Sequence, residues 1–204
     1  MVRFEKWQQE APGGAMKTLG QTLAAIAVET KALGFDMASD PAVGSLLRAL
    51  GGSKPGGTCL ELGTGTGLST AWLLAGLSAD ARLVTVDNDA RFQDVARRHL
   101  EGDPRVTFCR EDAGDFIAAL EPAQFDLIFA DTWAGKYSHL DQTLALLRPG
   151  GMYVVDDLLP QPNWPTGHQS VVDAYVADMA RREAIRVASL DWASGILIAT
   201  RTAS

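Results

Sequence analysis

Thr58-Cys59-Leu60-Glu61-Leu62-Gly63-Thr64-Gly65-Thr66-Gly67-Leu68-Ser69 reads as a short apolar strand that runs through a tight glycine turn into a helix. Such a turn holds backbone N–H groups and the positive end of the helix against a ligand. The dinucleotide fingerprint needs a third glycine three places after the second, but position 68 is Leu. The triphosphate loop needs a Gly-Lys-Ser/Thr run, which this stretch lacks. What remains is a loop that lets a cofactor approach the backbone closely. Its N–H groups and Ser69 are offered to something smaller and anionic, such as a carboxylate.

Outward from this stretch the pattern alternates. Short apolar strands are expected at Thr58 to Leu62, Arg82 to Asp87, Arg105 to Cys109, Phe125 to Asp131 and Gly151 to Val155, each followed by an amphipathic segment. Phe92, Val95, Ala96 and Leu100 make one helical stripe, while Ser138-His139-Leu140-Asp141 and Ser170-Val171-Val172-Asp173 have the capping-box form. Ile185 to Leu190 and Ile196 to Arg201, joined by Asp191 to Gly195, read as a hairpin. Upstream, Leu19 to Leu33 and Pro41 to Leu50 read as helices, the second opened by Asp40 and Pro41. The sum is an α/β fold: a doubly wound, mostly parallel, seven-stranded Rossmann-like sheet with a C-terminal antiparallel hairpin and N-terminal helices. One domain is expected over 1–204, with a helical cap over 1–50 and the core over 58–204. Ligands in such sheets bind beyond the carboxyl ends of the strands, so function is expected just after Leu62, Val86, Cys109, Ala130 and Val155.

Composition narrows the partners. Eighteen Lys and Arg against 25 Asp and Glu leave a net charge of −7, and the only tight basic pairs are Arg97-Arg98 and Arg181-Arg182. Nucleic acid is therefore disfavoured. Cys59 and Cys109 stand alone, so neither a disulfide framework nor a thiolate zinc site is expected. No apolar run approaches the roughly 18 residues of a membrane span. Leu19 to Val28 contains Gln21 and runs into Glu29, and is expected to be a helix of a cytoplasmic protein rather than a signal core.

Asp87 ends the second strand twenty residues after Gly67, where a carboxylate can accept hydrogen bonds from ribose hydroxyls. From about Phe35 onward the chain resembles the class I methyltransferases that use S-adenosylmethionine, whose first motif has the form acid-x-Gly-x-Gly-x-Gly. The resemblance implies that Gly63, Gly65 and Ser69 line the methionine part, Asp87 the ribose and Asp112 the adenine edge. It adds Thr64, Asn88, Ala113 and Asp131 as cofactor contacts. Glu61 would hold the loop, or the ammonium group through water, and Met37 with the N-terminal helices would close the cofactor side.

A second constellation ends the fourth and fifth strands: Phe129-Ala130-Asp131-Thr132-Trp133, then Val154-Val155-Asp156-Asp157. Adjacent strands lie about 4.8 Å apart, so Asp131 is expected to face Asp156 and Asp157 across a space suited to one hard cation. The pattern resembles the catechol and caffeoyl-coenzyme A type O-methyltransferases. That likeness implies a divalent metal, Mg²⁺ above all, on Asp131, Asp156 and Asp157, and methyl transfer to a hydroxyl of a small aromatic acceptor. The chain departs from the catechol enzymes twice. Ala134 stands where they carry their lysine base, and Asp157 where they carry Asn. Asp131 and Lys136 are the catalytic candidates, with His139 and His168 as further candidates for the base. The proline-rich segment Leu158 to His168 is expected to overhang the acids and, with Trp133, to form an aromatic wall or lid. Rival readings are a tRNA hydroxyuridine methyltransferase, an aminopropyltransferase and a non-enzymatic cofactor-binding module. A homodimer stays open.

Overall fold

In the computed structural model, which describes residues 18–203, the expected strands form one sheet. They are β1 (Thr58–Leu62), β2 (Arg82–Val86), β3 (Val106–Cys109), β4 (Phe125–Ala130), β5 (Leu147–Val155), β6 (Ile185–Leu190) and β7 (Ile196–Arg201). Their order is β3-β2-β1-β4-β5-β7-β6, parallel throughout except where β7 runs antiparallel to both β5 and β6. The helices are α1 (Leu19–Ala32), α2 (Pro41–Gly52), α3 (Leu68–Gly76), α4 (Ala90–Leu100), α5 (Ala113–Ala118), α6 (Leu140–Leu146) and α7 (His168–Arg181). The portion of the expected N-terminal cap that precedes Thr18 lies outside the described residues.

Successive strand residues point to opposite faces, which sorts the core into two layers. Leu60, Leu62, Ile128, Ala130, Tyr153 and Val155 pack with residues of α5, α6 and α7. Cys59, Leu127, Phe129 and Val154 pack with residues of α1 to α4. The same alternation turns Glu61, between Leu60 and Leu62, into the layer of α3, where it is fully buried. The sheet winds outward from β1 in both directions, so the switch point lies between β1 and β4. There the Asp131 N–H donates to the Leu62 carbonyl at 2.9 Å, which brings the glycine loop and the first acid of the trio side by side.

Neither expected capping box forms. α6 starts at Leu140 behind His139, whose φ is +55°, and α7 starts at His168 behind Gly167, two residues before Ser170. The Ser170 hydroxyl instead donates back to the Gly167 carbonyl at 2.6 Å, an alternative that short polar side chains offer at helix starts. β5 also begins earlier than expected, at Leu147, because Leu147 pairs with Phe125 before a register shift in the ladder. Among the described residues no helix is long and apolar enough to cross a membrane.

Candidate active site

The glycine loop is fixed from both sides. Gly63, Gly65 and Gly67 all take positive φ, at +101°, +50° and +94°. Two of them are also sterically required. A Cβ on Gly63 would lie 2.8 Å from the Asp131 carbonyl oxygen, and one on Gly67 would lie 2.6 Å from Ala96 Cβ. Gly63→Ala combines left-handed strain with a backbone collision and is expected to destabilise the protein by about 2 kcal/mol. Thermal unfolding should report the drop, and calorimetry with S-adenosylhomocysteine should show weakened binding by the folded fraction.

Glu61 anchors the loop from beneath. Its Oε2 accepts from Thr70 Oγ1 at 2.5 Å and from Thr85 Oγ1 at 2.6 Å, which ties β1 to α3 and β2. Its Oε1 is buried with no partner among the described residues, an opening for a cationic group or a water. Burial pushes the Glu61 carboxyl up to about 7, opposed by the neighbouring hydroxyls of Ser69, Thr70 and Thr85. Thr64 likewise points inward, with its hydroxyl 2.7 Å from that of Thr85. Ser69 is 5% exposed and sits beside Glu61, so its hydroxyl serves the loop rather than an open surface.

Asp87 does double service. Its Oδ2 accepts the Gly65 N–H and its Oδ1 the Asp89 N–H, both at 2.8 Å. Each oxygen keeps a second lone pair for a ligand hydroxyl. Asn88 is exposed next to it. Asp112 caps α5 through the N–H groups of Gly114 and Asp115, and its carboxylate is exposed. Ala113 is buried behind it.

The loop before α2 closes the same end of the sheet, and Met37 within it is 61% exposed. Phe35 reaches the glycine loop: its ring packs at a tilt on Phe92, with centroids 4.5 Å apart, and lies 3.2 Å from where a Gly65 Cβ would be. Ser39 Oγ then donates to Asp131 Oδ2 at 3.2 Å. Neither residue was singled out from the sequence. A lone Phe and a lone Ser in a loop carry no spacing signal, although both lie within the segment expected to close the site.

The acids converge, but not as a metal cage. Ala130 pairs with Val155, so Asp131 and Asp156 leave adjacent strand ends together. Burial, then repulsion from Asp156 and Asp157, pushes the Asp131 carboxyl up to about 8, opposed by Lys136 and Ser39. Burial also raises Asp156 to about 6 and raises Asp157. Yet Asp156 Oδ1 is taken by the Ser194 hydroxyl and, at 2.7 Å, by the Asp157 N–H. The Lys136 ammonium sits on the carbonyl oxygens of Asp156 and Asp157. Among the described residues no three His, Cys, Asp or Glu side chains lie together in a way that could hold a metal ion. The expected donor set as placed does not fit a divalent cation: Asp156 Oδ1 and Asp131 Oδ2 are engaged by neighbouring donors, and a buried lysine sits on the backbone carbonyls of Asp156 and Asp157.

Raised carboxyl pKa values have a stability consequence of definite sign. Between their ordinary values near 4 and the raised values of about 7, 8 and 6, Glu61, Asp131 and Asp156 bind more protons in the folded than in the unfolded chain. Their stabilising contribution is full below about pH 4 and is lost as the pH climbs through those raised values. The ligand-free protein is thus expected to melt at a lower temperature at about pH 8 than at about pH 5, as a buffer series in differential scanning calorimetry would record.

An aromatic group stands over the acids. The His168 ring lies 4.6 Å from Trp164, 5.5 Å from Tyr137 and 6.1 Å from Trp133, which is itself 56% exposed. The Leu158 to His168 segment is pinned at its start, where the N–H groups of Leu158 and Leu159 donate to the carbonyl of Ser194 in the β6–β7 turn. A cleft of about 480 Å³ opens beside Lys136 and Tyr137, between the start of α6 and one face of α7. His139 stands apart from these rings at the N-terminus of α6, exposed, with its imidazole against Gly114.

Comparison with known proteins finds methyltransferases. A family model described as a methyltransferase domain matches residues 60–158. A Mycobacterium ulcerans protein named as an O-methyltransferase is 33% identical over 156 residues, covering 74% of this chain and 68% of its own. With other curated relatives the match spans only 54% or 64% of their length. The O-methyltransferase TomG from Streptomyces achromogenes, solved with S-adenosylmethionine and involved in tomaymycin synthesis, superposes with a TM-score of 0.76 at 26% identity over 90% of each chain. An O-methyltransferase from Bacillus cereus, solved with S-adenosylhomocysteine, shares the fold with a TM-score of 0.77 at 24% identity, over 89% of this chain and 90% of its own.

Proposed function

Since the chain belongs to the O-methyltransferase family of class I methyltransferases, we propose that it transfers a methyl group from S-adenosylmethionine to a hydroxyl of a small aromatic acceptor. One observation carries the reading: the glycine loop meets the Asp131 backbone at Gly63, so the wall that would hold the cofactor also carries a carboxyl able to exchange a proton near neutral pH. The residues fit the cofactor on three counts. The loop is too tight for a Cβ at Gly63, Asp87 keeps lone pairs for ribose hydroxyls, and the orphaned Glu61 oxygen lies in the same layer as the loop helix.

Bound there, S-adenosylmethionine supplies a sulfonium methyl: the acceptor oxygen gains the carbon, the carbon–sulfur electron pair returns to sulfur, and the acceptor's proton is left to be taken up. Asp131 is the group that takes it. Ser39 steadies one oxygen of that carboxylate, leaving the other for the acceptor hydroxyl. Trp133, Tyr137, Trp164 and His168 supply flat faces against which an aromatic ring can stack, and so hold the hydroxyl for in-line attack. No step is assigned to a metal ion, because the acids as placed do not fit one.

The charge distribution argues against a tRNA acceptor, since both basic pairs are spent on acids. Arg97 pairs with Glu101, Arg98 with Glu29, Arg181 with Asp178, and Arg182 with Asp141 and Asp178. A bare binding module would leave the buried acids beside the loop without a purpose. The test is a panel of phenols, catechols and flavonoids incubated with protein and methyl-labelled S-adenosylmethionine. Label appearing as a methyl ether supports the reading. Tight cofactor binding with no transfer to any hydroxyl rejects it.

A further inference from the structure

Three carboxyls at neighbouring strand ends repel one another as they ionise, and the chain brings its own positive charge to them. Lys136 is 5% exposed, and its Nζ donates to the carbonyl oxygen of Asp156 and, at 3.3 Å, to that of Asp157. Its charge acts on Asp131, Asp156 and Asp157 together. A tight turn delivers it. Gly135 has φ +89°, and a Cβ there would lie 2.4 Å from Leu62 Cδ1. The Gly135 N–H donates to the Ser138 carbonyl at 2.7 Å, and its own carbonyl accepts from the buried Tyr153 hydroxyl at 2.5 Å. On the receiving side Asp157 leaves β5 with φ +56°, uncommon for a residue with a side chain, and two successive carbonyls accept from one nitrogen.

A lysine ammonium has three N–H donors, of which two are used here. Among the described residues no third acceptor takes the remaining one. A dication entering this space would meet the repulsion of a buried ammonium nearby and would have to free the Asp156 carboxylate from Ser194.

We propose that Lys136 is the built-in counter-ion of the site: seated on the Asp156 and Asp157 carbonyls, its ammonium supplies the positive charge that a divalent cation would otherwise bring to Asp131, Asp156 and Asp157, and its remaining N–H steadies the acceptor oxygen as the proton leaves for Asp131. No covalent step passes through the lysine, which stays protonated throughout. In this proposal Lys136 is not the base: burial favours its neutral form, but the charges of Asp131, Asp157 and Asp156 oppose that shift. The counter-ion role stands on the geometry alone; only the contact with the acceptor rests on the methyl-transfer reading.

Two measurements separate these parts. Mn²⁺ titration followed by electron paramagnetic resonance should show no stoichiometric site on the wild-type protein and one new site on Lys136→Met, with Lys136→Arg excluding the ion as the wild type does. Transfer to an acceptor found in the panel should be unaffected by EDTA, and kcat should fall by roughly tenfold to 100-fold in Lys136→Met, with S-adenosylhomocysteine affinity retained as the check on folding. A stoichiometric Mn²⁺ site on the wild type, or transfer abolished by EDTA and restored by Mg²⁺, would overturn the proposal, and neither needs a variant to fold. A folded Lys136→Met with no Mn²⁺ site would overturn it too. If no acceptor is ever methylated, the functional reading fails while the Mn²⁺ titration still decides the counter-ion.

Discussion

Asp131→Asn is expected to lower kcat for methyl transfer about 10³-fold while leaving cofactor affinity unchanged. Asn has the shape of Asp and can keep the Ser39 hydrogen bond, so the wall beside Gly63 should stay in place. What it loses is the capacity to take a proton. Burial and the two acids that follow β5 push the wild-type carboxyl up to about 8, so only part of the protein holds the basic form at neutral pH. The wild-type rate should rise with pH through that value and then level off, and the Asn variant should lose this limb. A variant that keeps both the rate and the limb would show that another group takes the proton. The substitution should also raise the melting temperature at alkaline pH, since the ionised buried carboxylate is then a cost to the fold, and removing a strained functional group commonly stabilises the scaffold.

Asp87→Ala is expected to weaken S-adenosylhomocysteine binding about 100-fold or more, read by calorimetry. The wild-type carboxylate accepts two backbone N–H bonds, one of them from Gly65 in the middle of the loop. Hydrogen bonds to a charged group are worth about 1.5–3 kcal/mol each, so losing the latch and a ribose contact together is enough for that drop. Asp87→Asn retains one amide oxygen and should fall between Ala and the wild type. The fold should persist, because β2 is held by its ladders with β1 and β3. Unchanged affinity in the Ala variant would remove Asp87 from the cofactor site and leave it as a loop fastener.

Much of the site was legible because strand ends and glycine turns leave local marks. The run from Glu61 to Ser69 names a strand, a turn and a helix start in consecutive residues, and the loop forms there. The carboxyl ends of β4 and β5 were both marked by apolar runs that stop at an acid, and pairing of Ala130 with Val155 places Asp131 beside Asp156. Helix starts were less legible. Ser138 and Ser170 carry the capping pattern, but a left-handed His139 and Gly167 take the turn instead, since chain direction into a packed layer outweighs one side-chain bond. Met37 and Phe35 lie two residues apart, and only packing against Phe92 decides which one lies on the loop.

The order of apolar runs, turns and single charges along the chain was enough to determine the doubly wound sheet, its closing hairpin, the glycine loop and the approach of Asp131 and Asp156 at adjacent strand ends. Each of these depends on periodicity or on neighbours in sequence, which a linear reading contains. Only the tertiary structure decided what those acids face. Whether carboxylate oxygens are free for a metal, or are turned to Ser194 and accompanied by a lysine five residues beyond Asp131, depends on side-chain direction in a buried space, where competing donors settle the outcome by desolvation and distance.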